Sequence, residues 1–339
     1  MNCQSTHSDF RPLRGGFTLT EILATLAIIG LLLAVTVPAV QSARESARRT
    51  HCTNQLKQFG IALHAFEATH RTLPAPLKRD TGTNVISNPY SVHTQILPML
   101  DQSSIYNRID LLRYVSYEDV VLQPVLQSPI QVFECPSDVH HAGGNNYRVC
   151  TGSGTIVGIE NAFSGTRSDP AMGLFGRLRS HRLSEATDGL SQTAMASEIT
   201  KSNPRGGSYG ANDYWLSGYI RITQIWTTAE ALAICQTNPA NPPVSYPAVG
   251  HAWHVAGYSQ TAYNHVVPPN PAFADCSMDE FGTGDTDSLK TGVFSARSFH
   301  PGGANVLLGD GHIQFVSSTI DTNLWRAIGT LAGHEVISF

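Results

Sequence analysis

Histidine, carboxylate and cysteine side chains are where this sequence could hold a cation or move a proton. His300 and Asp310 have nine residues between them, and Gly311 follows Asp310 directly. A histidine and a carboxylate brought together could share a proton or bind a metal. No nucleophile is assigned to act with them, and no H-E-x-x-H occurs. The favoured reading is structural. Asp310 then accepts hydrogen bonds from turn amides, His300 packs on Pro301, and the nearby glycines supply positive φ angles. No catalytic residue is named. A hydrolase reading would need His300 and Asp310 to meet Asp188 or Glu198 in one concave pocket, and a solvent-open hairpin tip would count against it.

Two other groupings could bind a metal. His251 and His254 would share a face on a helix, but Pro247 and Gly250 beside them point to a loop. Two such histidines bind zinc only if a third ligand arrives from elsewhere. Asp285 and Asp287 lie on a glycine-rich loop whose hard oxygens suit calcium, although an EF-hand's ligand spacing is missing. No cofactor is assigned, with calcium a candidate on that loop. No C-x-x-C pair exists, so the cysteines read as bridges. Cys135 with Cys150 would close a short loop, Cys235 with Cys276 is the second pairing, and Cys52 is left over.

These groups need elements to position them. From Phe17 to Val37 the only charged residue is Glu21. At about 1.5 Å per residue that run spans roughly 31 Å, enough for a bilayer's hydrocarbon core. A carboxylate there is costly and asks for a reason. A cut between Gly16 and Phe17 would create an amine one turn from Glu21, and a neighbouring copy could pair the two. The alternatives are a secretory signal cut after Ala39, or an uncleaved single-pass anchor. Flanking arginines on both sides leave orientation by charge undecided.

Beyond the apolar run, Leu56, Phe59, Leu63, Phe66 and His70 recur at helical spacing. That stripe predicts a helix packed on a globular domain, with Gly60 a tolerated weak point and Pro74 and Pro76 ending it. Arg44, Arg48 and Arg49 read as a solvated or headgroup-facing side. Ala304–Leu308, the Gly309-Asp310-Gly311 turn and His312–Val316 predict a β-hairpin. Ile130–Phe133, Thr155–Ile159 and Thr193–Glu198 also look like strands. The expected fold is α+β: one long N-terminal helix on an antiparallel sheet with long loops. A net charge of −4 gives no basic field for nucleic acid, and only 14% charged residues with 29 glycines and 19 prolines suit an exported domain.

The segment Gly16-Phe17-Thr18-Leu19-Thr20-Glu21 resembles the processing site of type IV prepilins and type II secretion pseudopilins. That resemblance implies cleavage after Gly16 by a membrane peptidase and methylation of Phe17. Further blocks resemble a bacterial family catalogued as domain of unknown function 1559. They include Cys52-Thr53-Asn54-Gln55-Leu56-Lys57-Gln58, Phe133-Glu134-Cys135-Pro136-Ser137-Asp138 and Asp188-Gly189-Leu190-Ser191-Gln192-Thr193. The last is His300 to Asp310-Gly311, the family's His, nine residues, Asp-Gly motif. Residues 221–260 match none of its blocks.

The expected organisation is a leader at 1–16, a transmembrane segment at 17–40, a helix continuation at 41–71 and an exported domain at 72–339. The expected function is a pseudopilin-like structural or assembly protein, not an enzyme, linked to type II secretion or type IV pilus-like machinery. Its expected place is the inner membrane, with a short cytoplasmic leader and a periplasmic domain. Expected partners are membrane lipid, prepilin peptidase and further pseudopilin copies. The rival readings are a tethered module binding polysaccharide or cell-surface partners and, behind it, the hydrolase.

Overall fold

A run of Leu, Ile and Ala with few breakers makes the first element, α1, a 52-residue helix over Leu19–His70. The structure is a computed structural model. It describes residues 18–75, 78–79, 86–88, 90–111, 124–138, 143–154, 171–176, 181–201, 214–217, 228–237, 244–245, 249–258, 260–278 and 291–333. The chain divides into two units, Met1–Ala47 and Arg48–Phe339.

In the first unit, α1 is long and apolar enough to cross a membrane. Leu19, Ile22, Leu26, Ile29 and Leu33 are all exposed, so no core covers this stretch. Pro38 lies within the helix.

In the second unit, α1 becomes one-sided. Cys52, Gln55, Leu56, Phe59, Gly60, Ala62 and Leu63 are buried, as the helical spacing predicts. Phe66 is partly buried, and His70 stacks on it at 3.9 Å between ring centroids. Arg71 then takes a left-handed φ of 62°, which stops the helix ahead of Leu73-Pro74. Gly60 proves to be a packing position rather than a weak point. A Cβ there would stand 2.9 Å from both Leu307 methyls, so its absence lets the helix approach the sheet.

Eleven strands are named among the described residues. The main sheet holds five: β3 (Tyr147–Cys150), β4 (Ala194–Glu198), β7 (Ala262–Tyr263), β10 (Gly303–Leu308) and β11 (Ile313–Ser317), in the order β11-β10-β4-β3-β7. From β11 to β3 all pairs are antiparallel, and β7 joins β3 in parallel. The expected antiparallel sheet is therefore mixed, because Val149 and Cys150 pair with Ala262 and Tyr263 from a distant segment. The predicted hairpin is present: Leu307 faces Ile313, and Gly303 faces Ser317. Every residue of β10 is buried, while β11 is largely half-exposed. Such a fully buried, mostly apolar central strand beside an amphipathic edge matches their sequence patterns.

Short helices flank the sheet. α2 (Val92–Gln95) is capped by Ser91, whose hydroxyl accepts from the Thr94 amide at 3.2 Å. A 3₁₀ turn over Leu97–Leu100 and α3 (Ser103–Tyr106) follow. Ile130–Phe133 is not the expected strand. Gln131–Phe133 forms a 3₁₀ turn, which places Phe133 edge-on to Phe59 with ring centroids 6.0 Å apart. The expected strand at 155–159 lies outside the described residues. A two-stranded ribbon, β1 (Lys78–Arg79) with β2 (Ile86–Asn88), stands apart from the main sheet. A four-stranded sheet joins β5 (Tyr214–Ser217), β6 (Val244–Ser245), β8 (Asp275–Met278) and β9 (Thr291–Val293), beside α4 (Thr228–Thr237). The last helix, α5 (Thr322–Gly329), begins on Asp321, whose carboxylate accepts from the amides of Asn323 and Leu324.

Gly303 opens β10 where a Cβ would meet the Val316 carbonyl oxygen at 2.0 Å. Main chain cannot give way as a side-chain tip can. Gly303→Ala is expected to lower stability by about 1–3 kcal/mol, read as a shift in the urea unfolding midpoint with the slope unchanged.

Candidate functional site

The described residues bring one group of potential metal ligands together: Cys52, Cys135, Glu198 and His300, all buried, with ligand atoms within 4.8 Å of one another. Each comes from a different segment. Cys52 lies on the buried stripe of α1, Cys135 follows the 3₁₀ turn, Glu198 ends β4, and His300 precedes β10. His300 Nε2 stands 3.4 Å from Glu198 Oε1 and 3.9 Å from Cys135 Sγ. His300 and Glu198 each expose only 2% of their surface. His300 therefore does not simply pack on Pro301, as expected, but faces a carboxylate in the interior.

Neighbouring strands hold this group in place. The Asn305 main-chain N–H donates to Glu198 Oε2 at 2.9 Å, and its side-chain amide donates to Oε1 at 2.8 Å. A buried carboxylate needs such donors, because an unpaired one would be very costly. Tyr147 pairs with Glu198 across the sheet, and its hydroxyl donates to the Cys52 carbonyl at 2.9 Å. Burial, then the Glu198 charge, push the Tyr147 phenol well above its usual range. Cys135 donates its amide to Asn146 Oδ1 at 3.0 Å.

The cysteine pairing differs from expectation. Cys52 is bonded to Cys135, and Cys150 is the free, buried thiol. The expected Cys135–Cys150 bridge does not form, because Cys150 points into the core, where its thiol donates to the Gly329 carbonyl at 3.7 Å. Burial pushes that thiol up to about 12. Cys235 and Cys276 are bonded, joining α4 to β8. The Cys52–Cys135 link closes 83 residues, worth about 4.5 kcal/mol in the chain-entropy model.

His300 and Asp310 do not meet. They flank opposite ends of β10, whose six residues span roughly 20 Å. Asp310 sits at the hairpin tip with its side chain 37% exposed. It accepts from the His312 main-chain N–H at 3.0 Å and from His312 Nδ1 at 2.7 Å. Partial burial opposes ionisation there, but the His312 bonds outweigh it and hold the Asp310 carboxyl below its usual value. Gly311 takes a φ of +86°, and its carbonyl accepts from the Lys57 ammonium. Asp188 accepts from the Gly333 amide at 2.7 Å. The tip thus docks the hairpin on α1, and Arg49, expected to be solvated, lies over the Phe315 ring at 3.7 Å.

Other histidines are core groups. His93 Nε2 donates to the Tyr147 carbonyl at 2.7 Å. His265 stacks on Trp325 with ring centroids 3.7 Å apart, donates from Nδ1 to the Trp325 carbonyl, and accepts from the Tyr263 hydroxyl at Nε2. Both nitrogens of His254 are buried without a hydrogen bond. Burial pushes His93 and His265 down to about 3 and His254 down to about 4.

Of the processing residues, Gly16 and Phe17 lie outside the described residues, as do Asp285 and Asp287. Glu21 has a local partner that the sequence reading missed. Its Oε2 accepts from the Thr18 amide at 2.8 Å and the Thr18 hydroxyl at 2.9 Å, while the Glu21 amide donates back to that hydroxyl at 3.4 Å. This is a capping box, and its signal was the Thr-x-x-Glu spacing. Gly206-Gly207-Ser208-Tyr209-Gly210 has the Gly-x-Ser-x-Gly spacing of a nucleophile turn and lies outside the described residues.

A family model described as protein of unknown function (DUF1559) matches residues 41–323, and one described as prokaryotic N-terminal methylation motif matches residues 11–37. Among curated proteins, the chain is similar to type II secretion system core protein G of Pseudomonas aeruginosa. The two are 34% identical over 76 residues, covering 20% of this chain and 54% of that protein. It is also similar to competence protein ComGC of Halalkalibacterium halodurans. That match is 36% identical over 64 residues, covering 19% of this chain and 63% of that protein. The chain thus spans little more than half the length of these relatives. No solved structure matches it.

Two outcomes are expected. Asn305→Ala removes the amide donor to a buried carboxylate and should cost about 1.5–3 kcal/mol, measured by urea unfolding. Acid should also weaken the fold through the three buried histidines. They stay neutral when folded but take protons near pH 6.5 when unfolded, so stability is full above pH 6.5 and falls as pH drops toward about 4. The slope is up to about 1.4 kcal/mol per pH unit for each histidine. Unfolding midpoints flat from pH 7 to pH 4.5 would contradict it.

Proposed function

The chain belongs to the DUF1559 family of proteins of unknown function and carries a prokaryotic N-terminal methylation motif. On that premise we propose that it is a membrane-anchored structural or assembly protein of the pseudopilin type, and not an enzyme. One observation carries the reading. The methylation motif at residues 11–37 overlaps a stretch of α1, Leu19 to Val40, whose large apolar side chains are exposed. Such a surface needs lipid or neighbouring helices to cover it.

In this proposal a prepilin peptidase cuts between Gly16 and Phe17 in the inner membrane, and Phe17 receives a methyl group. α1 stays in the bilayer, and the domain beyond it is exported. Copies or related pseudopilins then associate through α1 in a type II secretion-like or type IV pilus-like machine. The relatives named for secretion and competence support that setting. Glu21 caps its own helix through Oε2, which leaves Oε1 for the Phe17 amine of a neighbour. The two disulfides suit a domain that works in an oxidising compartment. The separation of His300 from a solvent-facing Asp310 favours a structural over a hydrolytic reading of the motif.

The test is the mature N-terminus, read by mass spectrometry on protein from the native host's membrane fraction. We expect a chain starting at Phe17 and heavier by one methyl group, and a Gly16→Val variant that keeps its leader. An intact leader in the unaltered protein, or a start near Gln41, would overturn the proposal.

A further inference from the structure

A disulfide needs no ionisable neighbours, yet a histidine and a carboxylate converge on the Cys52–Cys135 bridge. Each is 2% exposed, and both place a ligand atom within 4.8 Å of the two sulfurs. The four side chains carry two sulfurs, one imidazole nitrogen and one carboxylate oxygen, a donor set that suits zinc. A tetrahedral zinc with bonds of about 2.0–2.3 Å sets its ligand atoms roughly 3.3–3.8 Å apart. The distances from His300 Nε2 to Glu198 Oε1, 3.4 Å, and to Cys135 Sγ, 3.9 Å, already fall at or near that spacing. The outer contacts fit as well. Both Asn305 donors hold the Glu198 carboxylate, as groups behind a metal ligand do.

We propose that Cys52, Cys135, Glu198 and His300 form a zinc site in the dithiol form of the protein, and that the Cys52–Cys135 disulfide is the metal-free form of the same site. The exchange balances. A dithiol reductant supplies two electrons and two protons, leaving Cys52 and Cys135 as thiols and itself as a disulfide. Zinc then binds both sulfurs and releases the two thiol protons to solvent, with His300 neutral and Glu198 ionised. Oxidation by a disulfide reverses this: two electrons leave the sulfurs, the S–S bond forms and zinc departs. Either form ties α1 to the segment that carries Cys135, so the domain keeps that link in a reducing or an oxidising medium. Opening the bridge requires the two sulfurs to separate, since the Cα atoms now stand 4.8 Å apart.

The test uses the full chain in detergent, reduced anaerobically with a phosphine, given zinc chloride and desalted. Zinc per chain is then read by mass spectrometry. We expect one zinc retained in the reduced protein and none in the oxidised protein. The Cys235→Ser/Cys276→Ser variant should retain the same zinc. His300→Gln and Glu198→Gln should each weaken binding by at least about tenfold. Cobalt(II) in reduced protein with the native site should show thiolate charge transfer and tetrahedral d–d bands, which keeps the test decisive if either single variant fails to fold. Failure of the reduced protein to retain zinc, retention that depends on Cys235 and Cys276, or octahedral cobalt would overturn the proposal.

Discussion

The second unit depends on the seating of one face of α1 on the central strands. Cys52, Leu56, Phe59 and Leu63 are fully buried there, and Gly60 lets the helix close on Leu307. Burial of such side chains is worth about 1.5–3 kcal/mol each, so this seam outweighs any single polar contact. The other ties gather along it. Cys135 bonds Cys52, the Tyr147 hydroxyl bonds the Cys52 carbonyl, Lys57 bonds the hairpin tip, and Arg49 covers Phe315.

The stretch from His300 to Asp310-Gly311 is two devices, not one site. Its histidine joins an interior group with Glu198 and the disulfide, while its Asp-Gly end shapes a tip that docks on α1. Strand β10 separates them and supplies Asn305 to the carboxylate. The nine residues between them are the length of chain that runs from the buried end of β10 around to the turn.

Three of the fourteen histidines also have a structural explanation. His93, His254 and His265 serve as flat, neutral core groups that stack on or lie beside aromatic rings. His93 and His265 also reach main-chain carbonyls. Their burial holds them neutral over the pH range in which a solvated imidazole would switch charge.

The sequence by itself determined the elements whose physics is local. Helical periodicity marked the buried face of α1, an unbroken apolar run marked its membrane-length stretch, and Asp310-Gly311 between two apolar segments marked the β10–β11 hairpin. Each rests on neighbours within a few residues, where period and turn chemistry act directly. The capping box at Thr18 and Glu21 is legible in the same way, from its Thr-x-x-Glu spacing. Tertiary structure alone decided that Cys52 pairs with Cys135, that β7 lies parallel to β3, and that Glu198 meets His300 and Asn305. Those contacts close 83 residues for the disulfide and 107 for the Asn305 bond. Over such distances a residue's type says that it needs a partner, but not which one. That choice falls to the packing of the intervening chain.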